Sequence, residues 1–142
     1  MSSELSLEFA ACFDYSTEDE YESYPQLPLY MFNPAEPARR RYLNFFFDSG
    51  ASRTFISEVW IDPLGLERKT EPDDFFTAVN GSKIDFQLHR IAIGSPDLGF
   101  TELDVAFGRT SRDLLGRDFL NHANIGLNHK ERLLYITNIR TG

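Results

Sequence analysis

At 142 residues, with 42% apolar and 14% aromatic side chains, the chain suits one domain around one core and is too hydrophobic to stay disordered. Its 22 acidic and 14 basic residues give a net charge of −8, which argues against a nucleic-acid partner, since such a binder needs a basic face to displace counterions from phosphates. The single Cys12 excludes an intrachain disulfide, and no apolar run approaches the ~20 residues that span a bilayer, so a soluble chain in a reducing, cytoplasmic location without a membrane partner is expected.

In chain order, residues 1–23 stand apart as an acidic N-terminal segment, because Ser16 to Glu22 (STEDEYE) packs four acids into seven residues. Within it, Leu5 to Phe9 alternates with period two, which suits an edge strand pairing either inside the fold or with another copy. Residues 24–142 form the domain proper. The 13 Phe and 6 Tyr of the whole chain favour strands. Leu27 to Phe32 and Tyr42 to Phe47 read as a long-looped hairpin, with Arg39-Arg40-Arg41 a solvated turn between them. The second strand is apolar on both faces near its end, as a strand buried on both sides requires. It runs into Asp48-Ser49-Gly50-Ala51, where an unpaired buried carboxylate would be costly.

Thr54 to Trp60 reads as a further strand, stopped by Asp62-Pro63-Leu64-Gly65. Phe75 to Val79 and Ser82 to Phe86 flank Asn80-Gly81, a strong hairpin signal because both residues tolerate the positive φ of a type I′ turn. Gln87 to Ile93 and Thr101 to Phe107 follow as two strands. Leu114-Leu115 is too short for an ordinary strand, and Gly116 after it signals a backbone approached closely by another segment. Asp118 to Ala123 suits one or two helical turns with Phe119 and Leu120 inward, and Ile125 to Leu127 with Leu133 to Ile136 a closing hairpin. The pattern is all-β with one short C-terminal helix.

Three motifs then stand in order: Asp48-Ser49-Gly50-Ala51 after an apolar strand, the Asn80-Gly81 hairpin, and Leu114-Leu115-Gly116-Arg117 before the short helix. Together, across Tyr24 to Asn138, they resemble the retropepsin family of single-domain aspartic proteases. The resemblance implies a closed β-barrel or sandwich with a flap hairpin, and an aspartic endopeptidase that needs no cofactor. A chain with one Asp-Ser-Gly supplies one carboxylate where the chemistry needs two, so it implies a homodimer whose two Asp48 share a proton and activate water against a polypeptide substrate. It makes Asp48 the catalytic residue and gives Ser49, Gly50 and Ala51 the support of its loop. Val79, Asn80, Gly81 and Ser82 become the flap, and Leu114, Leu115, Gly116 and Arg117 pass beneath the dyad. Ser52 stands where viral members often carry an acid to pair with the residue at Arg117, so that ion pair is absent here. Met1 points to an autonomous chain.

Two other readings compete with the peptidase. A domain of the same fold without activity would be a dimeric protein-binding module, and Asp48 alone is also what a simple Asx turn uses. Other chemistries have less support. His89, His122 and His129 share no metal-ligand spacing, Ser49 and Ser52 lie in no Gly-x-Ser-x-Gly elbow, and Gly81-Ser82-Lys83 lacks the upstream glycine of a phosphate loop. Asp73-Asp74 reads as solvated charge.

Overall fold

The computed structural model describes residues 8–17 and 23–141. Ten strands carry these residues: β1 Ala11–Asp14, β2 Gln26–Phe32, β3 Arg41–Phe47, β4 Phe55–Ser57, β5 Asp74–Thr77, β6 Lys83–Ser95, β7 Gly99–Gly108, β8 Leu114–Leu115, β9 Ile125–Asn128 and β10 Leu133–Ile136. Short 3₁₀ segments at Pro37–Arg39, Glu58–Trp60 and Arg117–Asn121 join them.

The larger sheet runs β2-β3-β8-β4-β7-β6-β5, and β2 also pairs with β6 through Tyr30↔Gly94, Met31↔Ile93 and Phe32↔Ala92. That last pairing closes β2, β3, β8, β4, β7 and β6 into a six-stranded barrel, leaving β5 on the outside of β6. Closure removes the open edges that make flat sheets aggregate. A second sheet, β1-β10-β9, is antiparallel throughout.

Period-two patterning explains which side of each strand faces the barrel interior. On β2, Leu27, Leu29 and Met31 are fully buried while the residues between them are half-exposed. On β7, Thr101, Leu103 and Val105 point inward and Glu102 and Asp104 outward. Each such aliphatic side chain contributes about 1.5–3 kcal/mol by leaving water. Where both faces are covered the alternation ends, as at Phe45-Phe46-Phe47 and Val105-Ala106-Phe107.

Several elements differ from the sequence reading. The expected strand over Thr54 to Trp60 stops at Ser57, whose hydroxyl accepts the Val59 amide and caps the 3₁₀ turn Glu58–Trp60. The expected strands either side of Phe86 are one strand of thirteen residues, paired first with β5 and then with β7. The Asn80-Gly81 turn is not type I′. Only Gly81 has positive φ, +85°, and the loop spans three residues, with Gly81 N donating to Ala78 O and Ala78 N to Ser82 O. Asn80 instead spends its side chain, Oδ1 accepting from the Ser82 amide and hydroxyl at 2.9 and 2.6 Å. This is the type I turn plus left-handed glycine of three-residue hairpins.

The short C-terminal helix is the 3₁₀ segment Arg117–Asn121; Phe119 is fully buried, but Leu120 points to solvent at 36% exposure. Five residues of 3₁₀ geometry at three per turn present one inward position, not two. Arg41 belongs to β3, Arg39 pairs with Glu36, and the Arg40 guanidinium lies over the Tyr30 and Phe32 rings, so the basic run is not simply solvated. Near the N-terminus the strand is Ala11–Asp14, paired to β10 of the same chain. Of the edge strand expected at Leu5 to Phe9, residues 5–7 lie outside the described residues, as do the acids at 18–22.

Candidate active site

Asp48 follows the last residue of β3, with its backbone still in the ladder. The amides of Phe46 and Asp48 donate to Asp113 O and Leu115 O, 2.9 and 3.0 Å away, so strand alternation continues through Asp48. The chain then turns: Ala51 N donates to Asp48 O at 3.1 Å, and Gly50 N donates to Asp48 Oδ1 at 2.9 Å. Asp48, Ser49 and Gly50 are exposed and Ala51 is half-buried. Oδ2 of Asp48 and the Ser49 hydroxyl have no partner among the described residues.

The loop around Asp48 rests on the segment 114–117. Arg117 N donates to Ala51 O at 2.8 Å, adding a third backbone bond to those from Phe46 and Asp48. Leu114 is half-buried, Leu115 and Gly116 are buried, and Arg117 is exposed. A Cβ at Gly116 would stand 2.5 Å from the backbone carbon of Arg53, so only glycine lets the two segments cross this closely. The close approach expected at Gly116 therefore has a named partner. Arg117 has no ion pair among the described residues, consistent with Ser52 in place of an acid.

Neither Thr54 nor Asp118 stands out in the sequence, yet they lock this crossing. Thr54 is fully buried; its amide donates to Asp118 Oδ1 and Oδ2 at 3.0 and 3.1 Å and its hydroxyl to Oδ1 at 2.8 Å. The same hydroxyl accepts from Gly116 N at 3.1 Å. The only local signal was a threonine at the head of a strand and an acid beside Arg117. Asp113 makes a parallel link, its Oδ1 accepting from Ser57 N at 3.0 Å. Burial pushes the Asp113 carboxyl above its usual range, opposed by bonds from the Ser57 amide and the Trp60 side chain.

Val79, Asn80, Gly81 and Ser82 form the exposed tip of the β5–β6 hairpin. No hydrogen bond joins this tip to the Asp48 loop among the described residues. The base of the hairpin is tied to β4 instead: the Phe55 ring meets Phe76 and Phe86 edge-on at centroid separations of 5.0 and 6.1 Å. Asp73 is not merely solvated. Its Oδ2 accepts from Lys69 Nζ at 2.7 Å and from Leu88 N at 2.6 Å, anchoring the loop before β5 to the arm of β6.

A cleft of about 1130 Å³ opens beside this region, lined in part by Ser52, Arg53, Asp118 and His122, but it contains neither Asp48 nor the hairpin tip. Its His122 is occupied structurally, with Nδ1 near both Thr101 Oγ1 and Arg140 O. No cluster of three or more His, Cys, Asp or Glu suited to a metal occurs among the described residues, and no helix there is long and apolar enough to cross a membrane.

Residues 39–122, more than half of the chain, match the sequence profile of the "gag-polyprotein putative aspartyl protease" family. No curated protein sequence matches. Among solved structures, the chain resembles the EIAV protease complexed with the inhibitor HBY-793, with a TM-score of 0.56 and 16% identity over 77% of this chain and 92% of that one. It also resembles a retropepsin-like aspartic protease from Rickettsia conorii, with a TM-score of 0.58 and 14% identity over 88% and 98% of the two chains. At such identities the structural likeness speaks for the fold, while the profile speaks for descent. The chain belongs to the gag-polyprotein aspartyl protease family and has the retropepsin fold.

Proposed function

We propose that the protein is an aspartic endopeptidase that acts as a twofold homodimer, with Asp48 of each subunit forming the catalytic pair. One observation carries this reading: Asp48 is the under-used carboxylate of the barrel end. Asp118 and Asp113 each hold a second chain segment, whereas Asp48 is exposed and, among the described residues, accepts one bond, from its own loop, and leaves Oδ2 without a partner on a backbone fixed by Leu115. A carboxylate needed only for an Asx turn has no reason to stand on so constrained a loop.

In the dimer two such carboxylates about 3 Å apart share one proton, because both cannot remain charged at that separation. The charged one takes a proton from a bound water while the neutral one donates to the scissile carbonyl oxygen. The resulting tetrahedral centre collapses as a proton passes to the leaving nitrogen, giving a new carboxyl end and a new amine end. Ser49, whose hydroxyl has no partner among the described residues, bonds across the axis in this reading. Ala51 leaves room for an extended substrate, and the tip at Val79, Asn80, Gly81 and Ser82 closes over it, excluding water.

Asp48→Asn tests this cleanly, since an amide oxygen still accepts from Gly50 N while the shared proton is lost. The variant is expected to stay folded and to lose cleavage of an unstructured polypeptide by ~10³-fold or more. A wild-type protein that cleaves nothing between about pH 3 and about pH 7 and ignores a transition-state-mimicking inhibitor would leave only the binding-module reading.

A further inference from the structure

Phe46 is nearly buried, yet it is not part of the barrel core that holds its neighbours Phe45 and Phe47. Its side chain lies on the other face of β3. Because the amides of residues 46 and 48 both point to the same neighbouring segment, Phe46 and Asp48 share that face, about 7 Å apart along the strand. The ring of Tyr24 meets Phe46 edge-on at 6.0 Å, and the Arg112 guanidinium lies over both rings, 4.4 Å from the Tyr24 centroid and 4.9 Å from that of Phe46. Beside the candidate catalytic carboxylate there is thus an aromatic shelf topped by a cation.

Arg112 is held at both ends. Its backbone is clamped by Thr110, whose hydroxyl donates to Arg112 O at 2.9 Å and accepts from Arg112 N at 3.3 Å. Its guanidinium carbon lies over both rings while the residue stays exposed, a placement that leaves N–H donors open to a ligand. The neighbouring acid, Asp113, is turned to the Ser57 amide, and Arg112 has no ion pair among the described residues. Arg53 and Arg117, on the two segments crossing beneath the Asp48 loop, have none either. The segments that adjoin the Asp48 loop thus carry three exposed arginines, Arg53, Arg112 and Arg117, in a protein of net charge −8.

Resting on the peptidase reading above, we propose that Tyr24, Phe46 and Arg112 form the side-chain subsite next to the scissile bond and select a peptide carrying an acidic residue there. The aromatic faces take the aliphatic part of a glutamate and the Arg112 fork takes its carboxylate, as a bidentate charge-assisted pair. The twofold dimer carries two such subsites, so an acid on either side of the bond is accepted.

The test uses the Asp48→Asn protein, which binds without cleaving, and fluorescent peptides differing only in Glu or Gln at the position flanking the scissile bond. The Glu peptide is expected to bind about tenfold more tightly, with the margin shrinking as salt rises. Arg112→Gln removes the difference, and Arg112→Lys restores part of it. Equal affinities for the two peptides, no binding of either, or a preference that survives Arg112→Gln would overturn the subsite. Wild-type cleavage of the same peptides separates the two ideas: a binding preference without cleavage overturns only the peptidase reading.

Discussion

Thr54 and Asp118 are 64 residues apart in sequence, and the carboxylate of one accepts both the amide and the hydroxyl of the other. Through its hydroxyl Thr54 also takes the amide of Gly116, so one buried side chain joins the strand after the Asp48 loop to the segment beneath it. Thr54→Val keeps the shape and removes the hydroxyl, leaving an amide and part of a carboxylate unsatisfied. The expected loss of stability is about 1–3 kcal/mol, read as a lower midpoint in urea. A change within a few tenths would show that the link is ornamental.

Gly116 and Gly81 are both glycines for opposite reasons, and alanine separates them. At Gly116 the added methyl meets the Arg53 backbone, which cannot yield cheaply, so unfolding or a loss above about 3 kcal/mol is expected. At Gly81 nothing lies within 4 Å and the cost is that of holding an L-residue at φ +85°, about 1–2 kcal/mol. Thermal melts compare the two directly. Faster hydrogen exchange confined to the β5–β6 hairpin is the signature expected of Gly81→Ala.

Acidification acts on the hairpin arm from two positions. Burial holds the His89 pKa below its ordinary 6.5, with nearby Lys69 and Arg68 adding to the effect and Asp73 opposing it. The bond from Lys69, followed by that from the Leu88 amide, holds Asp73 below 3.8. Both folded-state values are depressed, so the unfolded chain binds more protons in each window. Stability is therefore full above 6.5 and falls with pH, first through the His89 window and later below 3.8 through that of Asp73. Asp113, raised by burial, opposes this trend above 3.8. His89→Gln should flatten the first fall in a series of urea midpoints, and an unchanged slope would refute the assignment.

Sedimentation tests the shared-pair mechanism at its base. Activity should rise with the square of protein concentration while monomer dominates and linearly once dimer dominates. Ser49→Ala, which removes a hydroxyl without a partner among the described residues, should weaken the dimer without lowering the stability of the monomer. A monomer with full activity would rule out a site built from two chains.

Much of the barrel was legible because burial leaves a local trace. The alternation of Leu27, Leu29 and Met31, the three consecutive phenylalanines before Asp48, and Gly116 after two leucines each announce a face, a doubly covered strand or a close crossing. Local chemistry also indicated which carboxylate ends an apolar strand. It did not show that Thr54 and Asp118 meet, that Ser57 ends a strand, that Asn80 turns its side chain onto Ser82, or that Arg112 lies on Tyr24 and Phe46. Those outcomes depend on which segments barrel closure brings side by side, and a pairing across tens of residues leaves no period in either partner. The sequence by itself determined most of the barrel strands, the inward face of those that alternate, and the place of Asp48 after β3. Only the tertiary structure decided what the polar groups between the strands hold, because a hydrogen bond is a matter of direction and reach that composition does not carry.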